Sequence, residues 1–113
     1  MIKDLIEWDD FEKIDIRNGL IVDAIINEKA KVPAYVLKID FGELGIKTSS
    51  AQLTQNYTPS DLIGKNIVAV VNFAPKKIAG VKSEVLVLAT VCEKKGTLLL
   101  STEKNAINGS AVK

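Results

Sequence analysis

The chain lacks histidine altogether, and aromatic residues make up only 5% of its 113 residues. Without histidine it lacks the commonest general base and metal ligand, and no Ser–His or Cys–His nucleophile arrangement can form. The scarcity of aromatic side chains disfavours binding of single-stranded nucleic acid that is led by base stacking. We therefore expect a binding protein that is not an enzyme and that uses no metal and no cofactor.

Cysteine occurs once, as Cys92 at the end of the apolar run 85–91. A single cysteine has no partner for an internal disulfide, because that bond needs two thiols in one chain. Isolated cysteines behave mostly as small hydrophobic residues. We expect Cys92 to be a buried or half-buried apolar side chain.

Long apolar runs are also missing, and no stretch approaches the roughly 20 residues that span a bilayer. The N-terminus starts acidic and lacks the apolar core of a secretory signal. Apolar residues nevertheless reach 47% of the chain and the mean hydropathy is +0.16, which leaves apolar surface to hide. The sequence therefore predicts one domain over residues 1–113, in a cytoplasmic protein that associates with itself.

Net charge is only +1, but its distribution along the chain is uneven. Residues 1–15 hold six acids against two lysines, whereas residues 62–83 hold four lysines and no acid. Three of those lysines lie in a loop that contains Pro75 and Gly80 and that connects the apolar runs 67–71 and 85–91. One alternative is a solvated surface of mixed sign. The other is a basic loop that holds an anionic or extended ligand against a sheet.

Hydrophobic periodicity predicts an all-β domain with short helices at the N-terminus and between the third and fourth strands. The helices are expected over residues 1–15 and 58–64, and Thr58, Pro59 and Gly64 have the residue types of a helix start and stop. Five main strands are expected, over residues 16–26 with a bend or bulge near Gly19, 35–41, 46–53, 67–72 and 84–92. One more short strand is predicted over residues 97–101. This order matches the five-stranded Greek-key barrel called the OB-fold.

An OB-fold binds ligands on strands 2 and 3, between the loops that join strands 1–2 and 4–5. Those loops are residues 27–33 and 73–83 here, and we predict that they lie side by side. The polar residues and the lysines could instead cap strands, form turns or solubilise a loop tip. The candidate ligand-binding residues are Lys38, Ser49, Ser50, Gln52, Asn72, Lys76, Lys77, Lys82 and Ser83.

Three further expectations concern apolar and paired side chains. Tyr35, Phe41 and Phe73 are predicted in the core, with an aromatic platform for the ligand as the alternative, and Arg17 is predicted to pair with Asp15. The two chain ends carry apolar residues that are too many to stay in water, which predicts dimerisation extensions. The predicted two-fold interface contains Leu5, Trp8, Phe11, Leu98 and Leu100. The alternative is that the N-terminal residues plug one end of the barrel within the same subunit.

Three ordered motifs resemble the tRNA-binding domain of methionyl- and phenylalanyl-tRNA synthetases and their free-standing relatives. They are Asp15-Ile16-Arg17-x-Gly19-x-Ile21-Val22, Tyr57-Thr58-Pro59-x-x-Leu62-Ile63-Gly64-Lys65 and Pro75-Lys76-Lys77-Ile78-x-Gly80-x-x-Ser83. Residues 47–52, 70–73 and 78–88 resemble the CsaA-like export-related chaperones within that family more closely. The resemblance implies an OB-fold homodimer that binds unfolded or precursor polypeptides for secretion, with tRNA binding assigned through the domain family.

No glycine-rich phosphate loop of the P-loop kind is visible in the sequence. Chaperone action would therefore be passive holding that does not depend on ATP. The alternative is a tRNA-binding protein that recognises folded tRNA through the same basic groove. Both functions require a ligand surface at the two basic loops.

Overall fold

The computed structural model describes residues 1–113 and folds as a nearly closed antiparallel barrel with few short helices, which confirms the OB-fold prediction. The five-stranded sheet has the order β3-β2-β1-β4-β7, and two hairpins, β5–β6 and β8–β9, extend from it. No helix reaches the length and apolarity that crossing a bilayer requires. The elements are α1 (Trp8–Glu12), β1 (Ile16–Ile26), β2 (Tyr35–Asp40), a 3₁₀ helix (Gly42–Leu44), β3 (Ile46–Ala51), α2 (Pro59–Leu62), β4 (Asn66–Val70), β5 (Lys76–Ile78), β6 (Val81–Ser83), β7 (Leu86–Val87), β8 (Ala89–Cys92) and β9 (Gly96–Leu99).

The core follows from the alternation of side chains in β2. Tyr35, Leu37 and Ile39 point into the barrel and are buried, and Phe41 continues the same side just after the strand. Successive residues of a strand point to opposite faces, so one apolar stripe fills the barrel while the other side remains available. The predicted core positions of Tyr35 and Phe41 are confirmed.

The pairing of the long strand β1 with β2 shifts register between Ile21 and Asp23, so the irregularity of the strand lies at Val22. The bend or bulge predicted near Gly19 is wrong by three residues. Gly19 has a different role, because a Cβ there would lie 2.7 Å from Ile39 and 2.8 Å from Phe41. Glycine lets β1 pack directly against the core at that point.

The N-terminal helix is shorter than predicted, since α1 covers only Trp8–Glu12 and residues 1–7 form no helix. The Glu7 backbone N–H donates to Asp10 Oδ2 at 2.9 Å, which starts the helix there. Residues 1–7 are exposed, so their apolar side chains have no partner in this chain. An isolated helix of about 15 residues is only marginally stable in water and usually needs tertiary packing. Residues 1–7 have no such packing in this chain, which explains why the predicted helix does not extend over them. We call residues 1–7 the N-terminal arm.

The single fifth strand predicted over residues 84–92 is wrong. The Leu88 backbone N–H still donates to Val68 O at 2.8 Å, but the following residues leave the barrel and form β8, which pairs with β9. Cys92 pairs with Gly96 at the tip of this ribbon and is exposed, contrary to the prediction. Phe73 is also exposed, because the chain leaves the barrel after β4.

The short helix α2 has the predicted start. Thr58 Oγ1 accepts a hydrogen bond from the Asp61 N–H at 3.3 Å, and the Asp61 carboxylate accepts one from the Thr58 N–H at 2.9 Å. Pro59 occupies the first turn, and Gly64 follows the helix with φ +89°. This reciprocal capping box satisfies two N–H groups that a helix start otherwise leaves free.

Candidate functional site

The basic loop of the sequence folds as the hairpin β5–β6. Its register pairs Lys76 with Ser83, Lys77 with Lys82 and Ile78 with Val81. Both residues of its two-residue turn have positive φ, 46° at Ala79 and 82° at Gly80. Such turns match the twist of the flanking strands. The lysines therefore stand on an ordered ribbon.

The hairpin is fastened to β3 by hydrogen bonds that follow β6. The Glu84 N–H donates to Thr48 O at 2.8 Å, and the Thr48 N–H donates to Glu84 Oε1 at 3.1 Å. One step further, the Ser50 N–H donates to Ser83 Oγ at 3.2 Å. The barrel is thus closed at one end of the seam between its edge strands β3 and β7, partly by side chains.

The other end of this seam is open. β3 and β7 are the two edges of the five-stranded sheet and form no ladder with each other. Two adjoining cavities of about 440 and 300 Å³ lie beside the seam, with mostly hydrophobic linings that share Ile78 and Leu86 as a common wall. We call them together the seam cleft. It extends from Phe73 at one end to Val91 at the other, and both side chains are exposed.

The two basic loops lie side by side, as the sequence predicted. Asn27 Nδ2 donates to Ala79 O at 3.4 Å across the two loops, and Lys29 lies beside Gly80 at the hairpin turn. A groove of about 510 Å³ between them has an apolar floor. We call it the loop groove, and its apolar residues include Ile25, Ile26, Val36 and Val81.

The lysines around these surfaces are exposed and free of carboxylates. The ion pairs within 4.0 Å in this chain are Lys13–Asp10, Arg17–Asp15 and Lys47–Glu84. None of them contains Lys29, Lys31, Lys38, Lys76, Lys77 or Lys82. Their positive charge is therefore available to a ligand. The Arg17–Asp15 pair, predicted from sequence, is present with Arg17 Nε at 2.7 Å, and that hydrogen bond raises the pKa of Arg17.

The predicted ligand residues do not all converge. Lys76, Ser83, Ser50 and Gln52 line the seam cleft. Lys77 and Lys82 stand together on the opposite face of the hairpin, because directly paired residues share a face and neighbours alternate. The candidate set is therefore split between two surfaces.

Three other candidates have partners within the fold. Ser49 is 1% exposed and its Oγ donates to Val85 O at 3.1 Å. Lys38 Nζ donates to Thr48 Oγ1 at 2.6 Å on the outside of the barrel. Asn72 Oδ1 accepts from the Asp15 N–H at 2.9 Å, and Asn72 Nδ2 donates to Lys13 O at 2.8 Å. Asn72 thus ties the segment after α1 to the end of β4.

Sequence reasoning missed the apolar lining of the seam cleft. Leu86 is exposed although it belongs to the apolar run 85–91, a pattern that normally predicts burial. Ile78 is exposed as well, and its position in the basic loop, directly after Lys76 and Lys77, was a signal of that exposure. Such a cleft can accept apolar side chains of an extended chain, while the lysine face can accept anionic groups.

The family model described as "Putative tRNA binding domain" matches residues 16–111. Among solved structures, the chain is 47% identical to the chaperone CsaA of Bacillus anthracis (TM-score 0.88, covering 97% of this chain and 100% of that one). It is 46% identical to the CsaA chaperone protein of Picrophilus torridus (TM-score 0.91, covering 96% and 100%).

Longer relatives also match. The chain is 40% identical over 110 residues, 97% of its length, to the methionine–tRNA ligase of Methanococcoides burtonii, of which it spans only 16%. The match is therefore to one part of that much longer protein. Taken with the barrel, its basic hairpin and the agreement along whole CsaA chains, these similarities show that the chain belongs to the tRNA-binding-domain family and is a CsaA-like member of it.

Proposed function

We propose that the protein is a cytoplasmic, ATP-independent chaperone that holds unfolded or precursor polypeptides for secretion and catalyses no reaction. The observation that carries this proposal is the seam cleft, an open apolar cavity at the edge of an otherwise filled barrel. The similarity to CsaA chaperones supports it. Exposed apolar patches of this kind on small domains commonly mark interaction sites.

The shape of the cleft favours an extended chain as its ligand. Alternate side chains of an extended strand lie about 6.5–7 Å apart on the same face. One such side chain would enter each cavity, with Ile78 and Leu86 packed between the two. Apolar contact of this kind selects exposed hydrophobic residues and not a particular sequence, which is what a holding chaperone needs.

A substitution in the common wall tests the polypeptide site. Leu86 is 51% exposed, so a ligand would bury about half of its side chain, worth about 1 kcal/mol. We expect Leu86→Gln to weaken binding of a fluorescent, permanently unfolded polypeptide by about fivefold. Suppression of aggregation of that polypeptide should fall in parallel.

Ile63→Gln is the matched control, because Ile63 is 50% exposed and lines neither the seam cleft nor the loop groove. It should bind the polypeptide as the native protein does. Equal loss in both variants, or no polypeptide binding by the native protein, would reject the chaperone function.

We also propose that the protein is a homodimer joined through its chain ends. Leu5 of the N-terminal arm and Trp8 of α1 are 97% and 84% exposed, so neither plugs the barrel of its own subunit. Leu98 and Leu100 are also exposed, and Phe11 is partly buried. A stable interface buries at least about 1,200 Å² in total. Sedimentation should give a dimer at micromolar concentration and a monomer for Leu5→Glu/Trp8→Glu.

The second candidate function is binding of folded tRNA. The family model and the lysines that have no carboxylate partner favour it. Affinity for tRNA should then fall steeply with salt, because each neutralised phosphate releases counterions. Tight tRNA binding without any polypeptide binding would select this function over the first.

A further inference from the structure

The hairpin β5–β6 presents two chemically different faces. Ile78 and Ser83 lie on the face toward the barrel, where Ile78 lines the seam cleft and Ser83 Oγ accepts from the Ser50 N–H. The pair Lys77–Lys82 is flanked in the register by the pairs Lys76–Ser83 and Ile78–Val81. Because successive residues of a strand alternate between faces, Lys77 and Lys82 project from the other face. No residue of this lysine pair lines the cleft.

The lysine face carries two like charges that no carboxylate of this chain neutralises. Like charges directly opposite each other destabilise an antiparallel pair, and neither Lys77 nor Lys82 has a carboxylate within 4.0 Å. Lys29 adds a third cation beside the turn at Gly80. A phosphodiester backbone, with repeated negative charges, complements the adjacent ammonium groups of Lys77 and Lys82, with the charge of Lys29 nearby at the turn.

From this arrangement we infer that the outer face of the hairpin is a phosphodiester-binding surface that stays open while a polypeptide occupies the seam cleft. The protein would then hold a folded RNA and an unfolded polypeptide at the same time. This inference rests on the proposed polypeptide function. It differs from the expectation that polypeptide and RNA would use the same basic groove, because it gives each ligand its own site. The ribbon keeps the two ligands apart, since the side chains that contact them point in opposite directions.

A three-component binding experiment with the full chain tests the inference. The affinity for a labelled unfolded polypeptide is measured alone and then with saturating transfer RNA at one fixed salt concentration. We expect the two dissociation constants to agree within twofold, and sedimentation with two labels should show both ligands in one complex. Displacement of the polypeptide by RNA, or no binding of RNA, would overturn the inference.

Variants on the two faces should separate the two activities. Lys77→Ala/Lys82→Ala should weaken RNA binding at least tenfold, reduce the salt dependence by about two units of log–log slope, and leave polypeptide affinity unchanged. Leu86→Gln should weaken polypeptide binding and leave the affinity for RNA and its salt dependence unchanged. Lys94→Ala/Lys95→Ala removes the same charge from the exposed turn between β8 and β9 and is the control. It should affect neither ligand.

The outcomes distinguish this inference from the chaperone function itself. If the native protein binds no polypeptide even without RNA, both are wrong. If each ligand binds alone but excludes the other, the chaperone function stands and the independence of the two faces is wrong. A loss of polypeptide binding in Lys77→Ala/Lys82→Ala would likewise show that the faces are one site.

Discussion

Glu84 and Thr48 form a reciprocal pair of hydrogen bonds across the barrel seam, in which the Glu84 N–H donates to Thr48 O and the Thr48 N–H donates to Glu84 Oε1. A side chain here replaces the backbone acceptor that a regular strand would supply. Glu84 and the neighbouring Ser83 also line the seam cleft, so this fastening of the hairpin lies at the margin of the cleft.

Glu84→Ala should lower the free energy of unfolding by about 1–3 kcal/mol, because it leaves the buried Thr48 N–H without an acceptor. Glu84→Gln keeps an acceptor oxygen and should lose much less. The 3.9 Å ion pair with Lys47 is partly exposed and contributes little. Urea unfolding of the three proteins provides the measurement. Equal losses in Ala and Gln variants would show that charge, not the hydrogen bond, matters.

Ala79→Gly should raise the free energy of unfolding by about 0.5–1 kcal/mol. Ala79 is the one non-glycine residue with positive φ, at 46°, a region that costs a side chain with Cβ about 1–2 kcal/mol. The gain is smaller than this cost because glycine also has more freedom in the unfolded chain. Ala74→Gly, outside this turn, should be neutral or destabilising. A stabilisation of the same size at both positions would contradict the strain argument.

Asp61 should make stability depend on acid. Hydrogen bonds from the Thr58 backbone N–H and then its side chain lower the pKa of Asp61 below its ordinary 3.8. A lowered folded-state pKa adds stability above the unfolded value and loses it as pH falls through the folded value. The decrease in Tm from about pH 5 to about pH 2 should therefore be smaller in Asp61→Asn. Asp4→Asn, in the N-terminal arm, should retain the native pH dependence.

Asn18 should control the attachment of the C-terminal segment. Its buried Oδ1 accepts from the Ser110 N–H at 2.9 Å, and its backbone O accepts from the Gly109 N–H at 2.9 Å. Asn18→Ala removes the first bond and should cost about 1–3 kcal/mol. Amide hydrogen exchange should accelerate at Ser110 and Val112 more than at Leu37 in β2. Uniform acceleration would instead indicate global destabilisation alone.

Local features of the sequence were sufficient to predict many of the strands of the barrel and the start of α2. Alternation identified β2 and the buried Tyr35, and the residue types at Thr58 and Pro59 identified the start of α2. Both signals act over a few residues, so they can be recognised without tertiary information. The N-terminal arm was predicted as helix because its apolar spacing is helical, but this chain offers no surface against which those residues could pack.

The candidate site was predicted only in part, since its lysines and their proximity were visible and its apolar cleft was not. Leu86 and Cys92 belong to an apolar pattern that predicts burial, yet both are exposed, as is Ile78 on the basic hairpin. Their exposure follows from where the strands leave the barrel at Leu88 and where the seam stays open, and neither is encoded in local spacing.

The strand periodicity, the start of α2, the basic character of the two loops and the family all follow from the order of the amino acids. Those properties depend on neighbouring residues and on motifs that can be recognised in order. The separation of Lys77 and Lys82 from the apolar face of their hairpin, and the open seam beside that apolar face, are visible only in the folded chain. Such relations arise from strand register and closure, which bring together residues that are far apart in the chain.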